Sequence, residues 1–415
     1  LAAARWHRRA AAWLGARDRA GTLVHWTAVC DLLDRATGSH DDLALAIEAR
    51  AQMIFNATMR SNRNEAQVTR LFEEGRALAG RLGTPASAIP LYASYALSRY
   101  QAGAVDEAVA ACDEAKRLID DATPAPLRVR LFGPLFSIVV QSGRLTEAPP
   151  VCDVVRALVE GRGPEYATEL FGFSPLGMIR ATEGFQRVQE GRFVEASALL
   201  EEALAIATPR RDMEVLVTAH RAQVLIADVL DDGMLALRHA REFTTIAEAS
   251  PSALLETAAI SLTGYALLVN GDPARALAML DEGLAGTREH RVGLFMEAVV
   301  LARKADALRL VGRTDEAVAV AREAVAVGKR QGSVAWTIDA LLAFARAERA
   351  AGRIPEAALD EADALVRASG AGAYAPFIRL ERAAIARDEA ARQRELAEAK
   401  RLFAAMGATR RTERL

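Results

Sequence analysis

The sequence predicts an all-α solenoid of about ten helix-turn-helix hairpins. Two observations predict it: a short phrase that returns about every 40 residues, and apolar residues at helical spacing on both sides of each copy. The phrase is a glycine or small turn residue followed shortly by a Glu-Ala-type pair. It reads RNEA at 63–66, GAVDEA at 103–108, GRLTEA at 143–148, GRFVEA at 191–196, GDPARA at 271–276, GRTDEA at 312–317 and GRIPEA at 352–357, with a weaker copy, DDGMLA, from Asp231. Successive copies lie 40, 40, 48, 40, 40, 41 and 40 residues apart. Gly21 marks a first copy, and residues 376–415 read as a terminal hairpin.

Each copy joins two amphipathic helices. FMEAVVLARKADALRLV (295–311) precedes one turn and DEAVAVAREAVAVG (315–328) follows it, both with apolar residues three and four apart. The turn glycine ends the first helix in the left-handed conformation. Asp106, Thr146, Asp272 and Thr314 are expected to cap the second helix, and Pro273 and Pro355 to sit in its first turn, where a missing N–H costs nothing. Ala108, Ala196, Ala276, Ala317 and Ala357 are small enough to let the two helices approach closely. One hairpin cannot bury two apolar faces, so neighbours must stack, giving a single repeat domain over 1–415. The one long interval places an irregular connection at 160–177, rich in glycine, proline and aromatics.

Composition excludes several classes. With 51% hydrophobic and 26% charged residues the chain has enough apolar surface to fold, and a net charge of −2 gives no overall pull toward nucleic acid or anionic membrane. Cys30, Cys112 and Cys152 are odd in number and far apart, which fits neither a disulfide framework nor a zinc site and predicts a cytoplasmic protein. No apolar run is long enough to span a bilayer, and the Arg- and Ala-rich beginning has no signal-peptide core. The chain starts at Leu1, inside a helical pattern, which predicts a piece of a longer protein.

Motifs that carry chemistry are absent from the sequence. There is no phosphate-binding loop, dinucleotide fingerprint, HExxH or EF-hand loop, and the six histidines have no ligand spacing, so neither cofactor nor metal is expected. GFSPLG brings Ser174 near a nucleophile-elbow pattern. Its second glycine is one place late, however, and Pro175 removes an N–H that an oxyanion hole needs, so a longer connection is the better reading than a hydrolase. Arg5, Arg8, Arg9, Arg17 and Arg19 cluster near the start, where they face either a preceding domain or solvent. In the last stretch Phe403 and Met406 are expected to pack inward and Gly407 to end the helix. Arg410, Arg411 and Arg414 are then left to a polar terminal turn that keeps the open end soluble.

The paired helices, small positions and Gly-x-x-x-Glu-Ala turn resemble the tetratricopeptide repeat, with a unit longer than the usual 34 or so residues. The resemblance implies a right-handed superhelix whose first helices line a concave face. Residues two or three before the turn would then point into the groove: Arg60, Tyr100, Gln101, Gln141, Gln189, Asp228, Arg309 and Arg349. Such a polar set suits an extended peptide or a protein domain.

ARWHRRAAAWLGARDRAGTLVHW (4–26), LFEEGRALAGRLG (71–83) and AEAKRLFAAMGATRRTERL (397–415) look like the C-terminal repeat region of large bacterial adenylate/guanylate cyclases. Large LuxR-type ATP-binding transcription regulators carry similar arrays. The first resemblance implies a non-catalytic regulatory module, with ATPase and cyclase domains upstream in the same chain as its partners. The sequence itself holds neither a Walker A loop nor the cyclase metal-binding aspartates in their context.

Overall fold

The computed structural model describes residues 2–34, 38–58, 64–166, 168, 173–249 and 252–415. Among these are 21 α-helices and no strand. Ten antiparallel hairpins follow one another: α1 (Ala2–Leu14) with α2 (Arg19–Leu33), α3 (His40–Thr58) with α4 (Glu65–Leu82), α5 (Ile89–Gln101) with α6 (Val105–Lys116), α7 (Ala125–Gln141) with α8 (Ala148–Val159), and α9 (Pro175–Glu190) with α10 (Phe193–Ala207). The second five are α11 (Met213–Leu230) with α12 (Gly233–Ala249), α13 (Ala253–Val269) with α14 (Pro273–His290), α15 (Glu297–Leu310) with α16 (Thr314–Gln331), α17 (Val334–Ala350) with α18 (Glu356–Ser369), and α19 (Ala375–Ala384) with α20 (Glu389–Ala405). A short α21 (Thr409–Arg414) ends the chain.

The recurring phrase is a helix-ending turn. Gly103, Gly143, Gly191, Gly271, Gly312 and Gly352 all have φ between +77° and +83°. The next N–H reaches back five residues, as in Arg144 to Val139 O and Arg313 to Leu308 O, both 2.9 Å. In the weak copy Asp231 takes the same left-handed place at φ +57°, and Asp232 N–H closes the turn on Ala227 O.

This closure decides the caps. It leaves one residue between glycine and helix, so Ala104 and Arg313 take the cap position while Asp106 and Thr314 fall inside the first turn. Thr146 lies in a 3₁₀ turn (Leu145–Glu147). Of the four expected caps only Asp272 caps, accepting from Arg275 N–H at 3.2 Å, with Pro273 at the first helical position. Pro355 stands before α18 rather than in its first turn. Ala108, Ala196, Ala276 and Ala317 are fully buried. Ala357 is exposed and Ala358 takes its place, because α18 begins four residues after its turn glycine where α16 begins two after.

Contacts between hairpins five apart close the solenoid on itself. Val334 N–H donates to Ser142 O at 2.8 Å, the Gly103 turn lies against Gln331, and the α9–α10 turn packs against Gly372 and Met406. The last contact of this kind is made by the terminal arginines. Arg411 donates to Val229 O at 2.8 Å and Asp228 O at 2.5 Å and covers the Phe377 ring, while Arg410 pairs with Asp232 and Arg414 with Asp231. The terminal turn, expected only to solubilise an open end, is thus fastened to the sixth hairpin. Phe403 and Met406 are buried beneath it.

At the other end Arg5 pairs with Asp41 and Arg8 with Glu48, so these two face the second hairpin. The side chains of Arg17 and Arg19, and residues Arg60 and Arg63, lie outside the described residues. The three cysteines are free and buried, and burial pushes each thiol up to about 12. No described helix is long and apolar enough to cross a membrane.

Two histidines that the sequence leaves unconnected meet between α11 and α12. His220 and His239 are buried with their Nδ1 atoms 3.0 Å apart, so one ring donates and the other accepts, which requires the accepting ring to be neutral. Burial pushes both below the ordinary value, His239 to about 4 with His220 and Arg238 adding to the effect. The unfolded chain takes up these protons near pH 6.5 and the folded chain resists, so stability is highest above that pH and falls as pH drops toward 4. Thermal melts at pH 7.5, 6 and 5 are expected to show a loss on the order of 2 kcal/mol, which His239→Phe reduces.

Candidate ligand-binding cavity

The first helices α3, α5, α7, α9, α11 and α13 turn one face inward around a cavity of about 900 Å³. The start of α2 and residues 295 and 296, ahead of α15, complete its wall. Its surface is largely apolar, with Phe136, Met178, Val217, Leu254 and Phe295 among the contributors. Tyr100, Gln141 and Arg221 make a polar group on one side. The Tyr100 hydroxyl donates to Gln141 Oε1 at 3.5 Å, and Arg221 donates to the same oxygen. The guanidinium lies 5.1 Å from the Phe185 ring centre and 5.8 Å from that of Phe295.

Arg221 and Arg130 are two arginines on the wall whose charge burial disfavours. The other contact of Arg221 is the Met296 sulfur at 3.5 Å, its Nε has no partner, and no carboxylate pairs with it among the described residues. Burial accordingly pushes Arg221 below the usual arginine value, and burial pushes the Tyr100 phenol up. By contrast Asp18, also on the wall, spends its carboxylate capping α2 at Gly21 N–H.

Opposite features keep space open. Gly133 and Pro134 stand side by side within α7, two residues that weaken a helix interior, and both border the cavity. A Cβ on Gly133 would meet nothing within 4 Å, whereas one on Gly75 or Gly184 would strike Leu91 or Leu200. Those two glycines serve close helix packing; Gly133 instead spares the clash that a side chain makes with a following proline ring and leaves the wall unfilled.

The residues expected in the groove separate into two groups. Tyr100, Gln101 and Gln141 come together at the cavity, where Gln101 Oε1 has no partner. Gln189 is buried and donates to Val140 O at 2.6 Å, tying α9 to α7. Asp228 accepts from Tyr265 at 2.6 Å and joins a charged cluster in which Arg303 meets Asp339 at 2.5 Å and Arg346 grips Asp306 through two bonds of 2.7 and 2.6 Å. Arg309 lies beside Asp306 and Arg349 beside Glu381. Arg60 lies outside the described residues. Ser174 is a fully buried helix cap: its Oγ donates to Pro164 O at 2.7 Å and accepts from Gly177 N–H, and its own N–H donates to Asp212. Residues 167 and 169–172 of the long connection lie outside the described residues.

Sequence reasoning missed Arg221, yet a signal existed. Ten residues before the turn residue stand Ala93, Gly133, Ala181, Ser261 and Ala302 in five copies, Leu342 in the Gly352 copy and Arg221 in the sixth. A guanidinium at a position that is apolar or small in these other copies needs room, which the cavity supplies.

No family model matches the chain, and no curated protein does. Among solved structures it is similar to a Rap protein complexed with Competence and Sporulation Factor, at TM-score 0.51 and 12% identity over 79% of this chain and 93% of that one. Yeast Tom70 aligns at TM-score 0.38 and 13% identity over 98% and 89% of the two chains. A Pyrococcus horikoshii signal-transduction ATPase with a tetratricopeptide repeat sensor aligns at TM-score 0.34 and 12% identity, over 93% of this chain and 52% of that one. The chain is a tetratricopeptide-like α-solenoid.

Proposed function

We propose that the chain is a non-catalytic sensing and protein-interaction module of a larger bacterial signalling ATPase, most simply an adenylate/guanylate cyclase, whose ATPase and cyclase domains are its partners. The observation that carries the sensing part is the 900 Å³ cavity ringed by six first helices, a volume in the range of ligand pockets. Because those helices belong to consecutive hairpins, a ligand touching several of them fixes their mutual packing, and the solenoid transmits that to whatever it contacts. The cyclase parentage rests on the stretches 4–26, 71–83 and 397–415.

The test is a thermal-shift screen of peptides and metabolites run in parallel on the native chain and Gly133→Leu. The leucine fills open space, and its gain in helix propensity offsets the restriction before Pro134, so the unliganded variant is expected within about 1 kcal/mol of the native chain. A cavity ligand at 100 times its Kd adds about 2.7 kcal/mol to the native chain alone. If every stabilising compound acts equally on both, the cavity is not the sensing site.

A further inference from the structure

We infer that the cavity's ligand is a small apolar carboxylic acid, its carboxylate held by Arg221 and its body lying along the apolar wall. This deepens the sensing role proposed above and rests on it.

Three observations carry the assignment. Arg221 stands where the neighbouring copies hold Ala93, Gly133, Ala181 and Ser261 and the Gly352 copy holds Leu342, so a charge there is peculiar to this hairpin. Its charge is partly withdrawn from water with no carboxylate partner among the described residues: Gln141 and the Met296 sulfur are neutral, and Nε is buried and unpartnered. Withdrawing a cation from water without an anion is costly, and an incoming carboxylate offsets that cost through a charge-assisted bond. The surroundings then select the rest of the molecule. Phe136, Met178, Val217, Leu254 and Phe295 offer an apolar body no polar partners, and the volume suits a drug-sized molecule rather than a folded domain. Tyr100, whose hydroxyl shares Gln141 with Arg221, is placed to donate to the second carboxylate oxygen when Gln141 turns aside. Arg130, Arg211, Asp18 and Glu214 also border the cavity, with Glu214 two helical turns before Arg221 on α11.

The experiment is calorimetric titration of the full chain with decanoate and with decan-1-ol, which share a body and differ in the head. One molecule of decanoate per chain is expected to bind at least tenfold more tightly than the alcohol. In Arg221→Met, which keeps the side chain's length and removes its charge, the ratio is expected to fall below twofold while the alcohol binds as before. Arg221→Gln reads the same ratio if methionine is not accommodated, and Arg221→Lys, which keeps the charge, is expected to retain part of the preference. Equal affinity of the native chain for the two compounds overturns the carboxylate assignment, and a preference that survives Arg221→Met overturns the role of Arg221. Binding of neither compound overturns the apolar-acid class. The Gly133→Leu screen judges the cavity itself separately, so these failures are distinguishable from failure of the sensing role.

Discussion

Gly143→Val is expected to open the superhelix, raising the radius of gyration measured by small-angle scattering and lowering stability by about 3 kcal/mol or more. Gly143 has φ +79°, so any side chain there is strained by about 1–2 kcal/mol. Its Cβ would also lie 2.5 Å from the Ala335 backbone nitrogen and 2.6 Å from the Ala335 Cβ. That neighbour is backbone at the start of α17 and cannot swing away. It must retreat bodily, breaking the bond from Val334 N–H to Ser142 O and separating the fourth hairpin from the ninth. Gly312→Val is the control. It carries the same strain at φ +82°, but nothing lies within 4 Å, so it is expected to lose stability without expanding. Equal radii for Gly143→Val and the native chain would show that the closing contacts do not hold the shape.

The second large effect is expected at Arg303. Its guanidinium pairs with Asp339 at 2.5 Å, lies 3.6 Å from Asp228 and covers the Tyr265 ring at 4.4 Å. Asp339 is buried; burial pushes its carboxyl up, against the pull of Arg303 and Arg346. Arg303→Met strands that carboxylate and is expected to cost about 3–5 kcal/mol at pH 7.5. Without Arg303 the folded-state value of Asp339 rises further. A raised value favours the folded state at low pH and the benefit is lost as pH rises, so the deficit is expected to be smaller at pH 5 than at pH 7.5. The double variant Arg303→Met, Asp339→Leu, which removes both charges, is expected to recover most of the loss in a chemical-denaturation series. A deficit independent of pH and unrelieved in the double variant would place the cost in packing instead.

The repeat was legible because its chemistry is local. A left-handed glycine, a backward hydrogen bond and an apolar stripe are all written within 20 or so residues, and even Asp231 could be recognised by its interval from its neighbours. The caps expected at Thr314 and Asp106 fall one and two residues late because the turn closure, not the side chain, fixes where the next helix starts. The closure between hairpins was not legible. Ser142 meets Val334 and Asp228 meets Arg411 across most of two hundred residues, and no periodic pattern records which copies face each other. The cavity was half legible for the same reason. Reading just before each turn finds Tyr100, Gln101 and Gln141 at the cavity, but it also collects Gln189, Asp228, Arg309 and Arg349, which hold helices together. Arg221 and Gly133 sit about two turns further up their helices, where the informative signal for Arg221 is a charge at a position that is uncharged in the other copies named above.

The fastening of Arg411 onto Asp228 and Val229 alters how the molecule comes apart. An open solenoid frays from its ends, because a terminal repeat need detach only from the one beside it. Here the last helix is tied to the sixth hairpin, and the third, fourth and fifth hairpins to the eighth, ninth and tenth. The final repeats therefore cannot peel away singly without releasing the middle of the chain. Denaturation is expected to approach a single concerted step, and the tail becomes the pin of a clasp.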